Sequence, residues 1–170
     1  MSSQPAFEFH WLSPLGVSVV LFLLYGSLYV FIGVLEPVVR EYSNAGQGAL
    51  IRGDESDGAL FKQNPSQLLR ENSQYALLGK ILIHWIAALL VMVGIFQLSI
   101  VWFGLRQGHV WAYWSLVAGG LAEFPYWILM FQPYASARIP LLRWDYPPVI
   151  LIPSLLFLPA VFLGWIGLYQ

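Results

Sequence analysis

Apolar and polar positions divide this chain into four long apolar stretches, over residues 15–35, 81–105, 110–131 and about 148–168, with one long polar connection over 36–79. Each stretch is close to the ~20 helical residues that cross the hydrocarbon core of a bilayer. The pattern predicts an all-α, integral membrane four-helix bundle, a single transmembrane domain with a polar loop between its first and second helices. The first stretch has no charge between Pro14 at its start and Glu36 and Pro37 at its end. A secretory signal is the competing reading, but Met1 to Pro14 has no Lys or Arg, and the stretch exceeds the ~7–15 residues of a signal core. It reads as a retained helix. The second stretch leads through a tight link containing Gly108 into the third, and the two read as an antiparallel hairpin. The fourth carries Pro153 near its first turns and Pro159 inside it, where a missing backbone donor predicts a kink.

Within the connection, Gly46, Gly48, Gly53 and Gly58 punctuate an acidic stretch at Asp54, Glu55 and Asp57, so its first half reads as turns. The triplet Gly48-Ala49-Leu50 recurs as Gly58-Ala59-Leu60 and would flank a short hairpin. Asn64, Pro65 and Gln67 occupy the places of a helix cap, a first-turn proline and a cap-returning amide, which predicts a helix from there toward Lys80. Its apolar side, Leu68, Leu69, Tyr75 and Leu78, suits packing over the mouth of the bundle or lying on the membrane surface. Asp54 to Gly58 resembles a calcium loop only superficially, because the later bidentate Glu and the ligand alternation are missing. A solvated turn is the expectation.

Composition agrees with the pattern: 58% of residues are hydrophobic and 10% charged, and the mean hydropathy is +0.66. Net charge is −1, so no basic surface offers itself to nucleic acid. The absence of cysteine excludes disulfides, thiolate metal sites and thiol catalysis. Charge placement predicts orientation. The first and third loops hold Arg40, Arg52, Lys62, Arg70, Lys80, Arg138 and Arg143, against Arg106 alone on the other side. The excess of Lys and Arg on cytoplasmic loops then makes this a multi-pass protein with both termini outside the cytoplasm. Trp11, Trp102, Trp111, Tyr113, Trp114, Trp144, Tyr146 and Tyr169 gather at the ends of the stretches and read as interface anchors, a Trp-lined ligand cradle being the alternative.

One residue stands apart. Glu123 lies about twelve residues into the third stretch, followed by Phe124 and Pro125. A carboxylate at that depth costs several kcal/mol unless paired, hydrated or protonated. Pro125 deprives the Leu121 carbonyl of its usual donor, so backbone polarity is exposed nearby. These features mark a polar pocket; the plainer reading is a neutral Glu hydrogen-bonded to a neighbouring helix. With ~1.5 Å of rise per residue, the second stretch offers Met92 at the level of Glu123. His84 lies ~12 Å away along the axis, which argues against a direct dyad. The first stretch runs parallel to the third and places Tyr25, Ser27 and Tyr29 at the carboxylate's depth, with Gly26 and Gly33 allowing close approach. Gln97 would extend the network. The candidate ligand-binding residues are therefore Glu123, Pro125, Tyr25, Ser27, Tyr29 and Gln97.

His10 and His109 fall at the opposite face from His84, and no helix carries two His at ligand spacing, so neither a metal nor a cofactor is expected. No nucleophile elbow, zinc-protease motif or phosphate-cradling glycine loop is present. The segment Leu105 to Trp114, LRQGHVWAYW, resembles the short basic, Gly-containing, Trp-Ala-aromatic turn of small DoxX-like four-helix membrane proteins. The likeness covers the second and third stretches and implies a fold, not an activity. A fainter similarity is to sterol-isomerase-like EXPERA bundles, with Glu123 as the one point of correspondence. Two functions follow: binding of an apolar or amphipathic small molecule or membrane lipid around Glu123, or service as an accessory subunit of a larger membrane complex. A lipid-modifying enzyme such as an isomerase is third.

Overall fold

The computed structural model describes residues 9–42, 54–140 and 148–169, and all regular structure among them is helical. The order is α1 (Pro14–Tyr42), α2 (Asp54–Phe61), α3 (Pro65–Glu71), α4 (Ser73–Phe103), a 3₁₀ turn (Leu105–Gln107), α5 (Val110–Ser136) and α6 (Pro148–Tyr169). Two of these pass as membrane spans by length and composition, Pro14–Val38 and Ser73–Gln107, with Leu155–Tyr169 a shorter apolar stretch.

Local chemistry explains the boundaries. Ser13 caps α1, its hydroxyl accepting from the Gly16 amide at 3.1 Å, with Pro14 in the first-turn place that suits a residue lacking an N–H. The helix then runs through Pro37 to Tyr42, beyond the predicted end. The expected helix from Asn64 toward Lys80 is two pieces. Asn64 accepts from the Gln67 amide at 3.3 Å, but the Gln67 side chain turns to Glu71 at 2.7 Å instead of back to the cap. Asn72 then takes an extended conformation and caps α4, accepting from the amides of Gln74 and Tyr75. α4 thus begins at Ser73, and its first residues lay within the predicted polar loop. Gly108, at φ 76°, closes the 3₁₀ turn in the left-handed region and releases the chain into α5. α6 continues through both Pro153 and Pro159.

Residues 54–61 of the acidic stretch form a helix, not a turn, and Asp57 is 0% exposed, not solvated. Its Oδ1 accepts from the buried Tyr134 hydroxyl at 2.6 Å, so α2 is tied to the far end of α5. Gly58-Ala59-Leu60 lies inside α2, while Gly48-Ala49-Leu50, Trp144, Tyr146, Arg40, Arg52 and Arg143 fall outside the side chains described.

α1 lies between α4 and α6 and packs along both, while α5 approaches α4 and α6 sparsely. Glycines explain the α1–α4 contact. A Cβ on Gly94 would lie 2.7 Å from the Gly26 carbonyl oxygen, and one on Gly33 would lie 2.8 Å from that of Ala87. Backbones this close need small residues. The close approach expected of Gly26 and Gly33 is therefore made to α4, not to the helix that carries Glu123. On the other side Ser18 donates to the Ala160 carbonyl at 2.7 Å and Tyr113 to that of Val161 at 3.0 Å. Both side chains crowd Gly164, where a Cβ would stand 2.7 Å from the Ser18 hydroxyl. Tyr113 is thus a buried interhelical donor, not an interface anchor. Leu15, Val19, Phe22, Val101, Leu105, Ala112 and Ala160 fill the core at the end where α1 and α5 begin and α4 and α6 finish.

Candidate functional site

Tyr25 and Tyr29 are one turn apart on α1 and therefore share a face. Their rings meet edge to face with centroids 5.0 Å apart, and their hydroxyls lie 3.1 Å from each other. Opposite them, near the middle of α5, Glu123 accepts from the Tyr29 hydroxyl at 3.0 Å to Oε1 and 2.8 Å to Oε2. No Cα of α1 comes within 8 Å of one on α5 among the described residues. The two helices are held apart, and long side chains bridge them.

The gap is a cavity of about 20 Å³, lined by Tyr25, Gly120, Glu123, Phe124, Trp127 and Phe157. That is the room of roughly one water molecule. Its shape depends on Gly120, because a Cβ there would run into the Phe157 ring. Phe157, from α6, also packs its ring 5.9 Å from that of Tyr25. The carboxylate thus faces two hydroxyls on one side and an aromatic enclosure on the others.

Of the predicted site residues, Glu123, Tyr29 and Tyr25 come together. Gln97 lies beside them without joining the network: its Cβ would lie 3.4 Å from a Cβ on Gly26, and its Oε1 is buried with no hydrogen-bond partner among the described residues. Ser27 does not take part, being exposed on the far side of α1, since two residues along a helix is a turn of about 200°. Pro125 is likewise exposed and lines no part of the cavity. The freed Leu121 carbonyl belongs to that outer face, for the same angular reason. His84 is also exposed, with Nδ1 2.8 Å from the Lys80 carbonyl. Among the described residues no group of three metal-ligating side chains gathers.

Gly120, Phe124, Trp127 and Phe157 were missed. Gly120 and Trp127 sit three before and four after Glu123, so helical periodicity alone places them on its face. Phe157 carries no such signal, because only the packing of α6 brings it there. Comparison with protein-family models, curated proteins and solved structures gives no match.

Proposed function

We propose that this chain is a multi-pass membrane protein, a four-helix bundle of α1, α4, α5 and α6, that holds an amphipathic small molecule or lipid with its polar end at Glu123. The membrane reading is supported by the outside of the molecule. Leu82, Trp85, Ile86, Leu89, Ile95, Phe96 and Phe103 on α4 are all exposed, and only 17% of that helix's most apolar window is buried. In water so large an apolar surface demands a cover; hydrocarbon supplies one. Charge placement supports both termini lying outside the cytoplasm. Arg106, alone at that end, is set against aromatic rings, with its guanidinium carbon 4.3 Å from the Trp102 ring and 5.8 Å from those of Phe9 and Trp11.

The observation that carries the binding role is a carboxylate held by the Tyr29 hydroxyl of α1 beside a cavity walled largely by aromatic rings. A cavity of about 20 Å³ takes a polar group of one heavy atom, such as a hydroxyl or an amine. The apolar body of the ligand then lies outward over Phe124, which is exposed. Native mass spectrometry of gently solubilised protein tests this. Wild type carries a co-purified apolar mass, and Glu123→Gln, which changes the charge but not the shape, retains about tenfold less, the equivalent of ~1.4 kcal/mol. Equal occupancy in both would overturn the reading.

The accessory-subunit reading is favoured by a different surface. An open apolar groove of about 510 Å³ runs beside Gly33, Ala87, Ala88, Val91, Met92, Ile95 and Phe96, where small residues admit a neighbouring helix. A stoichiometric partner protein retained in mild detergent would support it.

A further inference from the structure

Counting hydrogens shows what the cavity beside Glu123 can hold. A tyrosine hydroxyl has one hydrogen to give, and Tyr29 gives its own to the carboxylate. In the 3.1 Å contact between the two tyrosine hydroxyls, Tyr25 is then the donor. With that hydrogen spent, the Tyr25 oxygen keeps only lone pairs, and an ionised carboxylate has nothing else. Tyr25 and Glu123 both line the cavity. Its side-chain oxygens, one from α1 and two from α5, are therefore all acceptors. Trp127 carries the one N–H among the lining side chains, and a single neutral N–H does not balance a carboxylate. The occupant has to bring hydrogens of its own.

Charge, walls and size decide which hydrogens. Among the described residues no Lys, Arg or His pairs with Glu123, and a carboxylate at membrane depth is costly unless it is compensated. The walls are Tyr25, Phe124, Trp127 and Phe157, and aromatic rings attract a cation. An alcohol offers one hydrogen and no charge. A protonated primary amine offers three hydrogens and a positive charge. The room of about 20 Å³, that of roughly one water molecule, admits such a nitrogen and excludes one that carries methyl groups. Ketones, carboxylates and phosphates bring acceptors where acceptors already stand.

We propose that the Glu123 cavity is a primary-ammonium site, taking the protonated amine of an amphiphile supplied as a free long-chain amine or as an aminophospholipid head. The proposal rests on the binding role above and names its ligand class. The nitrogen sits between Glu123 and the Tyr25 oxygen and gives hydrogens to both, while the apolar body leaves past Phe124, which is exposed. No covalent bond changes: the amine arrives protonated, since an alkylammonium gives up its proton only near pH ~10.

The test uses the full chain in phosphatidylcholine nanodiscs, exposed in turn to decylamine, decanol and decyltrimethylammonium, which share one chain and differ in the head. Bound ligand is counted by native mass spectrometry. Wild type should retain decylamine about tenfold more than either of the others. Glu123→Gln should hold amine and alcohol alike. Tyr25→Phe, which keeps the ring and leaves Tyr29 in place, should lower amine retention severalfold without changing that of decanol. Solid-state NMR with nitrogen-labelled decylamine and carboxyl-labelled glutamate should show a nitrogen–carbon contact that is absent in Glu123→Gln. Should a variant fail to fold by circular dichroism, the head-group comparison in wild type decides alone. Equal retention of amine and alcohol by wild type, a firmer hold on the trimethylated head, or no nitrogen–carbon contact overturns the ammonium assignment. The binding role fails separately, when the co-purified mass is as abundant in Glu123→Gln as in wild type. A co-purified mass that depends on Glu123 but is displaced equally by decanol and decylamine keeps the role and removes the ammonium. Adding phosphatidylethanolamine to the nanodiscs identifies the source: reduced decylamine uptake assigns the site to the lipid head, and unchanged uptake to a free amine.

Discussion

Replacing Tyr29 by Phe removes one oxygen and leaves the ring, and the structure sets what that oxygen is worth. It lies 3.0 and 2.8 Å from the two Glu123 oxygens and 3.1 Å from the Tyr25 hydroxyl. A hydrogen bond to a charged group contributes about 1.5–3 kcal/mol net, whereas interhelical bonds between neutral groups in a membrane average about 0.6 kcal/mol. Among the described residues Tyr29 of α1 is the donor to Glu123, and α1 and α5 do not meet backbone to backbone. The change should therefore cost about 1.5–2 kcal/mol, toward the charged end of that range. Reversible unfolding in mixed micelles, followed by circular dichroism as a denaturing detergent replaces a mild one, measures it. The decisive quantity is a double-mutant cycle with Glu123→Leu, in which Tyr29→Phe should cost about 0.5 kcal/mol or less, giving a coupling of about 1 kcal/mol or more. A coupling below about 0.3 kcal/mol is what independent sites give, and would refute a direct Tyr29–Glu123 contact.

Gly94→Leu should destabilise the protein by about 1–3 kcal/mol through overpacking, because its Cβ would press on the Gly26 carbonyl and on Val30. Gly119→Ala is the matched control. Nothing lies within 4 Å of its Cβ, so the same unfolding assay should show a gain of about 0.5–1 kcal/mol from helix propensity. Tyr134→Phe withdraws a donor from the buried Asp57 carboxylate. It should lower stability by about 1.5–3 kcal/mol, and protease accessibility of α2 should rise with little effect on occupancy at Glu123.

The tyrosine pair was legible in the sequence because matching the starts of two parallel helices set a depth, and depth survives whatever the helices do sideways. Angle did not survive. Ser27 shared the depth of Tyr25 and Tyr29 but faces away, and Pro125 shared the neighbourhood of Glu123 but stands on the outer side of α5. Depth arguments are blind to that distinction, which the 3.6-residue period resolves only once one contact fixes the rotation of each helix. The acidic connection misled for another reason. Asp and Glu in a glycine-punctuated run promise solvent unless a donor such as Tyr134, 77 residues later, is brought alongside.

Amino-acid order alone determined the four long apolar helices, the cap at Asn64, and a carboxylate stranded in mid-helix, since all of these depend on neighbours within a few residues. Tertiary structure alone decided that α1 would lie between α4 and α6, that its glycines would face α4, and that α5 would stand off behind a bridge of tyrosine and glutamate. Partner choice rests on how side chains of distant segments interlock. A glycine shows where a backbone can come close; only packing shows which backbone arrives.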